Sequence, residues 1–182
     1  MSRALLKYGV VLVAFLVAGG CKALTGPDRT GEIHLSSETF GDTYYLFGYS
    51  YEDSEFYKFQ FQGEPIPDII NEGFRVLIGG SVPGFNTPGQ MNGFALVGEY
   101  GTLEEARNFY KGYKEVESGL QFEVISDTVK LYQVWVQQTD VGNYVKLLVK
   151  EIQNFGGESG DLFNEVTMDY TYQPNGSSTF PK

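Results

Sequence analysis

The chain has 182 residues and a net charge of −10, with 23 acidic residues against 13 Lys and Arg, one cysteine and one histidine. Such acidity speaks against nucleic acid and anionic lipid surfaces as partners, and a single Cys with a single His falls short of the several Cys or His ligands that zinc sites want. Tyr, Phe and Gly are frequent, a composition that favours strands joined by turns.

Arg3 and Lys7 form a short positive leader, and no acidic residue appears before Asp28. Tyr8 to Ala18 is an apolar run of signal-peptide length, shorter than the ~20 apolar residues that span a bilayer. Gly19 and Gly20 then lead into Cys21. An unpaired thiol is out of place in an oxidising compartment unless it is consumed. The string Val17-Ala18-Gly19-Gly20-Cys21 resembles the lipobox of bacterial lipoproteins, with Ala18 standing where that family usually has Leu. The resemblance implies that residues 1–20 are a lipoprotein signal peptide and that Cys21 is acylated, palmitate included, as the mature N-terminus. It also implies that Lys22, following the cysteine, directs the protein to the outer membrane. Two or three acyl chains anchor stably where one would be marginal. The plainer alternative is an ordinary secretory signal with Cys21 a spare thiol.

Without residues 1–20, which carry Arg3 and Lys7 and no acid, the net charge moves from −10 to −12. Residues 21–31 read as the lipidated N-terminus and a polar tether. Residues 32–182 are long enough for one domain with a sizeable core.

Within that domain, "GEIHLSS" is the first strand candidate and contains His34. From Phe40 to Phe61, Tyr45, Phe47, Tyr49 and Tyr51 share one parity, as do Tyr57, Phe59 and Phe61. Period-two aromatics around Glu52-Asp53-Ser54-Glu55 predict a hairpin with a polar tip, its aromatic face packed on the core rather than open to a sugar or flat ring. Phe74–Ile78 and Phe94–Val97 read as short strands joined by a Gly/Pro-rich loop over 79–93, a length often reserved for function. Gly79-Gly80 lacks the context of a phosphate-binding loop. Thr102-Leu-Glu-Glu105 is a capping box. Leu103, Ala106, Phe109, Tyr110 and Tyr113 follow at helical spacing, so the one helix covers about 103–114.

From Leu120 the pattern returns to strands. "LYQVWVQQ" and "YVKLLVKEI" flank Thr139–Asn143, a loop with hairpin chemistry. Last, Val166, Met168, Tyr170 and Tyr172 alternate with Thr167, Asp169, Thr171 and Gln173, predicting a strand with one buried and one wet face. The fold class that follows is mostly β: a single antiparallel β-sandwich-like domain with one short α-helix.

No residue pattern amounts to a catalytic site. A nucleophile needs a base within reach, usually histidine; His34 is the only one, and Cys21 is committed to lipid. Glu52, Asp53 and Glu55 lack the spacing and glycine of an EF-hand and read as a solvated turn. A carboxylate pair for sugar hydrolysis cannot be picked out of 23 acidic residues.

Taken together, "FRVLI", "GGSVPGFNTPGQMNGFAL", the helix, "VWVQQTDVGNYVKLLVKEI" and "VTMDYTYQPNGSSTF" resemble the HmuY-type haem-binding lipoproteins of Bacteroidetes over roughly residues 74–173. Thr139, Gly142, Tyr144, Lys146 and Leu147 match that family's Thr-x-x-Gly-x-Tyr-x-Lys-Leu string. The resemblance implies a lipid-anchored β protein that binds rather than catalyses, with haem held by axial His or Met. The family's histidine pair has no counterpart here, and Met168 has core parity. This leaves Met91 as the soft ligand and Phe85 as the ring to stack on a flat ligand, with no metal site otherwise expected.

The function expected is therefore a lipid-anchored, non-enzymatic binding protein of the bacterial outer membrane, for haem or another flat hydrophobic ligand. A structural or assembly lipoprotein docking on an envelope partner is the alternative, and a glycan-acting enzyme is the remote third.

Overall fold

A computed structural model describes residues 29–41, 45–59, 63, 65–76, 80–82, 84–88, 93–156 and 162–181. The molecule is mostly β. Strands β1 (Thr30–Ser36), β8 (Phe94–Glu99), β9 (Gln133–Gln138), β10 (Tyr144–Gly156) and β11 (Leu162–Gln173) form one antiparallel five-stranded sheet in the order β1-β11-β10-β9-β8. Strands β2 (Leu46–Ser50) and β3 (Glu55–Phe59) make a separate hairpin. The pairs β4 (Ile70–Asn71) with β7 (Phe85–Asn86), and β5 (Phe74–Val76) with β6 (Gly80–Val82), are two-stranded ribbons. Helix α1 spans Leu103–Gly112.

Both faces of the large sheet are covered, which makes the domain sandwich-like. On one face the inward residues of neighbouring strands line up in register: Ile33 with Met168, Leu35 with Val166, Leu147 with Tyr170 and with Trp135. These side chains pack beneath Tyr49 and Tyr51 of the hairpin segment, Ile69 and Phe85. A β-bulge at Lys150 shifts the register so that Ile152, not Glu151, stands opposite Val166. The extra residue keeps the apolar parity inward across the bulge. On the other face Val134 and Leu148 receive Ala106 of α1, while Val136 meets Tyr113 and Phe180 of the C-terminal tail.

The aromatic hairpin is a core element, as its alternation predicts. Tyr51 is fully buried, and Tyr49 hydrogen-bonds through its hydroxyl to the Tyr170 hydroxyl at 3.1 Å. Tyr49 lies opposite Phe56 and Gly48 opposite Tyr57, so the two aromatic parities occupy opposite faces of the hairpin. Helix α1 starts at the predicted cap: the Thr102 hydroxyl oxygen accepts from the Glu105 N–H at 3.3 Å.

Four expectations are corrected. The 79–93 segment holds both β6 and β7, because Phe74–Val76 and Ile70–Asn71 offer them pairing edges within the fold. The chain does not re-enter strand at Leu120; residues up to Tyr132 run over the surface with isolated bridges at Glu123 and Ile125, and β9 begins at Gln133. Thr30 and Gly31 of the supposed tether already pair with Thr171 and Tyr170. Thr171 is not on a wet face: only 6% exposed, it lies under α1, where Tyr110 covers that end of β11.

Candidate functional site

An open cleft of about 860 Å³ lies beside the C-terminal end of α1. Its geometry begins with how the helix ends. Tyr113 caps α1 in an extended conformation, and its N–H still bonds the Phe109 carbonyl at 2.8 Å. The chain then runs alongside the C-terminal tail: the Val116 N–H donates to the Ser178 carbonyl at 2.8 Å and Phe180 N–H to the Lys114 carbonyl at 2.9 Å. Ser118 and Gly119 turn it back, Gly119 at φ +90°, a conformation that favours glycine. The opposite wall is the β9–β10 hairpin end, where Tyr144 stands across from Gln138 and accepts its side-chain N–H at 3.3 Å.

Phe122 and Tyr144 bring two rings to this cleft, centroids 6.3 Å apart and inclined at 44°. Glu115, Glu117, Gln138 and Ser178 supply the polar groups, and the Ser178 hydroxyl donates to Glu115 at 3.4 Å. Beneath lies Lys146, of the same strand parity as Tyr144 and only 3% exposed. Its ammonium donates to the carbonyls of Tyr110 and Tyr113 at 2.6 and 2.7 Å and sits over the Tyr110 and Phe180 rings. These carbonyls end α1 without helical partners, and a cation is favoured there by the helix dipole. Burial nevertheless pushes the Lys146 ammonium down to about 8, with Lys114 adding repulsion.

The residues of the Thr-x-x-Gly-x-Tyr-x-Lys-Leu string thus have structural jobs around this region. Thr139 accepts the Asn143 N–H on its hydroxyl at 3.2 Å, and Gly142 turns at φ +81°. Lys146 caps α1 and Leu147 is core.

A second, smaller hollow of about 490 Å³ lies at the other end of α1, lined in part by Glu32, His34, Arg107 and Lys150. Its charges are largely spoken for. Lys150, re-aimed by the bulge, pairs with Asp169 at 2.6 Å and with Glu32. The Glu32 carboxyl is held low by its bond to Lys150. His34 is exposed on edge strand β1, contacting Glu32 at 3.1 Å and the Thr167 hydroxyl at 3.0 Å.

Of the residues singled out from sequence, Cys21 and Met91 lie outside the described residues. Phe85 is a correction: it is fully buried in β7, packed against Phe94 and Trp135, with no free face for a flat ligand. Met168 is likewise fully buried in the core. No group of three or more His, Cys, Asp or Glu suited to a metal occurs among the described residues. The described cleft lining holds no His or Met, the axial ligands that the resemblance implies. Phe122, Glu115 and Glu117 were not singled out from sequence; the Glu-x-Glu-Ser-Gly run after the helix was the signal that an exposed turn precedes Phe122.

No protein-family model matches the chain, and no curated protein matches it significantly.

Proposed function

We propose a lipid-anchored, non-enzymatic binding protein of the bacterial outer membrane whose ligand seat is the Phe122–Tyr144 cleft. The cleft carries the reading: two adjoining rings, Tyr144 on β10 and Phe122 on the segment after α1, fringed by side chains that accept and donate hydrogen bonds, are the furnishings of a small-ligand seat. Its described lining offers carboxylates, amide and hydroxyl, groups that orient a bound ligand by hydrogen bonds. The lipobox-like string ending at Cys21 supports the anchor, and among the described residues no helix is long and apolar enough to cross a membrane.

Replacing Cys21 by serine tests the anchor. The variant is expected in the soluble fraction without fatty-acid label; a variant that stays membrane-bound, from a parent that takes up no label, refutes it. A thermal-shift screen of the full chain against ring-bearing small molecules, haemin included, tests the seat. Stabilisation lost on Phe122→Leu supports the cleft, whereas stabilisation indifferent to that change moves the seat elsewhere. A shifted Soret band with haemin that survives Phe122→Leu would return the haem reading, at a site away from the cleft.

A further inference from the structure

The cleft's ligand class can be read from the sign and shape of its walls. The charged side chains lining it are Glu115 and Glu117, with no Lys, Arg or His among the described lining residues. Glu115 accepts one neutral hydroxyl from Ser178, and Glu117 makes no ion pair among the described residues. Phe122 and Tyr144 line the same cleft, inclined to each other rather than stacked flat. Both rings are half-buried against Tyr113, Val136 and Phe180, and a cation over the exposed part of either ring meets its negative quadrupole face.

We propose that the cleft recognises an organic cation: an ammonium or guanidinium group, whether carried by a free polyamine or by a lysine or arginine side chain of a partner. This rests on reading the cleft as the ligand seat. The Lys146 charge does not fill the role itself, because its ammonium is turned inward onto the Tyr110 and Tyr113 carbonyls. The same chemistry already operates in that buried site, with the Lys146 ammonium 4.4 Å from the Tyr110 ring centroid and 5.0 Å from that of Phe180. An acidic chain also draws cations toward it at long range. An anionic guest would face two carboxylates with no compensating base, and a neutral apolar one would leave Glu117 to be desolvated for nothing.

Calorimetric titration of the full lipidated chain in neutral detergent at low salt tests this, with benzyltrimethylammonium as the charged probe and benzyl alcohol as the uncharged ring. The cation is expected to bind and benzyl alcohol not. Glu117→Gln and Phe122→Leu should each weaken the cation about fivefold, and raising NaCl to about 0.5 M should weaken it further. Both variants must keep the parent's unfolding midpoint, and Glu117, being exposed, gives a change that cannot disturb the core. Spermidine and the blocked tripeptide Gly-Lys-Gly then separate the sources; tighter binding of one, lost in Glu117→Gln, supports the proposal and names its carrier. Equal binding of the two ring probes, lost in Phe122→Leu, overturns the cation while keeping the seat. Binding of the cation that ignores both substitutions, or no binding of either probe, overturns the proposal, and the second result removes the seat as well.

Discussion

The ammonium of Lys146, on central strand β10, donates to the carbonyl of Tyr113 at the end of α1, 2.7 Å away. One side chain therefore joins the sheet to the helix that covers it and to the tail behind, since Phe180 also packs against it. The arrangement is a helix cap supplied from a strand, and it places the cleft wall residue Tyr144 two positions along the same face.

Burial lowers the Lys146 ammonium to about 8 from its usual 10.5, so between those values the unfolded chain holds a proton that the native chain does not. Stability from this group therefore rises as pH climbs from about 8 to about 10.5. A neutral amine still donates to both carbonyls while costing less to bury. Lys146→Met has no such proton, and its urea-unfolding free energy should lose ground to the parent over that window. Buried tyrosines act in the opposite sense above pH 10, Tyr172 being pushed up to about 12 chiefly by burial. For that reason the measurement is the parent-minus-variant difference. A difference flat from pH 7.5 to 10 would contradict the titration.

Tyr170 and Thr171 are neighbours on β11 facing opposite layers, and both are buried. Tyr170→Ala should cost about 3–5 kcal/mol, as large aromatic truncations do. Thr171→Ala should cost about 1–2 kcal/mol rather than the few tenths of a surface change, because the Tyr110 hydroxyl 2.7 Å away would lose its closer partner and keep only the Lys146 carbonyl at 3.4 Å. A Tyr110→Phe, Thr171→Val cycle in denaturant should show coupling of about 1 kcal/mol. Additive losses would mean that the helix does not lean on this residue.

That pair also shows where sequence reading stops. The alternation Val166, Met168, Tyr170, Tyr172 names the inner face correctly because period two is a property of the strand itself. Whether the other face is wet depends on α1 crossing it, and nothing local to β11 encodes that. The same limit explains Phe85. A Gly/Pro-studded stretch looks open until Ile70–Asn71, earlier in the chain, pairs with it. The helix was legible to its cap because Thr102 and Glu105 act within one turn. The cleft was not, since Phe122 and Tyr144 meet only once the β9–β10 hairpin and the post-helix segment are packed together.

Gly31 on edge strand β1 lies opposite Tyr170, and a methyl group there would come within 2.7 Å of the tyrosine ring. Strand propensity alone favours alanine over glycine by roughly 0.5–1 kcal/mol. The ring cannot yield, however, because Tyr170 is held by the Tyr49 hydroxyl and packed against Tyr51. Gly31→Ala should therefore destabilise by about 1–3 kcal/mol, an overpacking cost. A gain in midpoint would mean that the β1 backbone at Gly31 sits farther from the Tyr170 ring than 2.7 Å implies.

Asp68 supplies the acid-side test. Its carboxylate accepts the Tyr51 backbone N–H at 2.9 Å, while its own carbonyl accepts from the buried Gln137 side chain at 2.6 Å. Burial raises the carboxyl to about 6 from 3.8, ahead of the opposing Tyr51 bond, and Asp140 and Glu52 add repulsion. Between pH 3.8 and 6 the native chain thus holds a proton that the unfolded chain has released. The Asp68 contribution is fully present below the lower value and is lost as pH rises through the upper one. Its size is at most about 3 kcal/mol, a little over two pK units. Glu32 and Glu99, both lowered by lysine or amide partners, work in the reverse sense, so total stability is a poor readout. The informative quantity is again a difference, parent minus Asp68→Asn, from chemical denaturation at pH 4 and pH 7. It should be more favourable to the parent at pH 4 by about 2–3 kcal/mol. A difference that grows in the parent's favour toward pH 7 would show that Asp68 is stabilised as a carboxylate, with the Tyr51 N–H outweighing its burial.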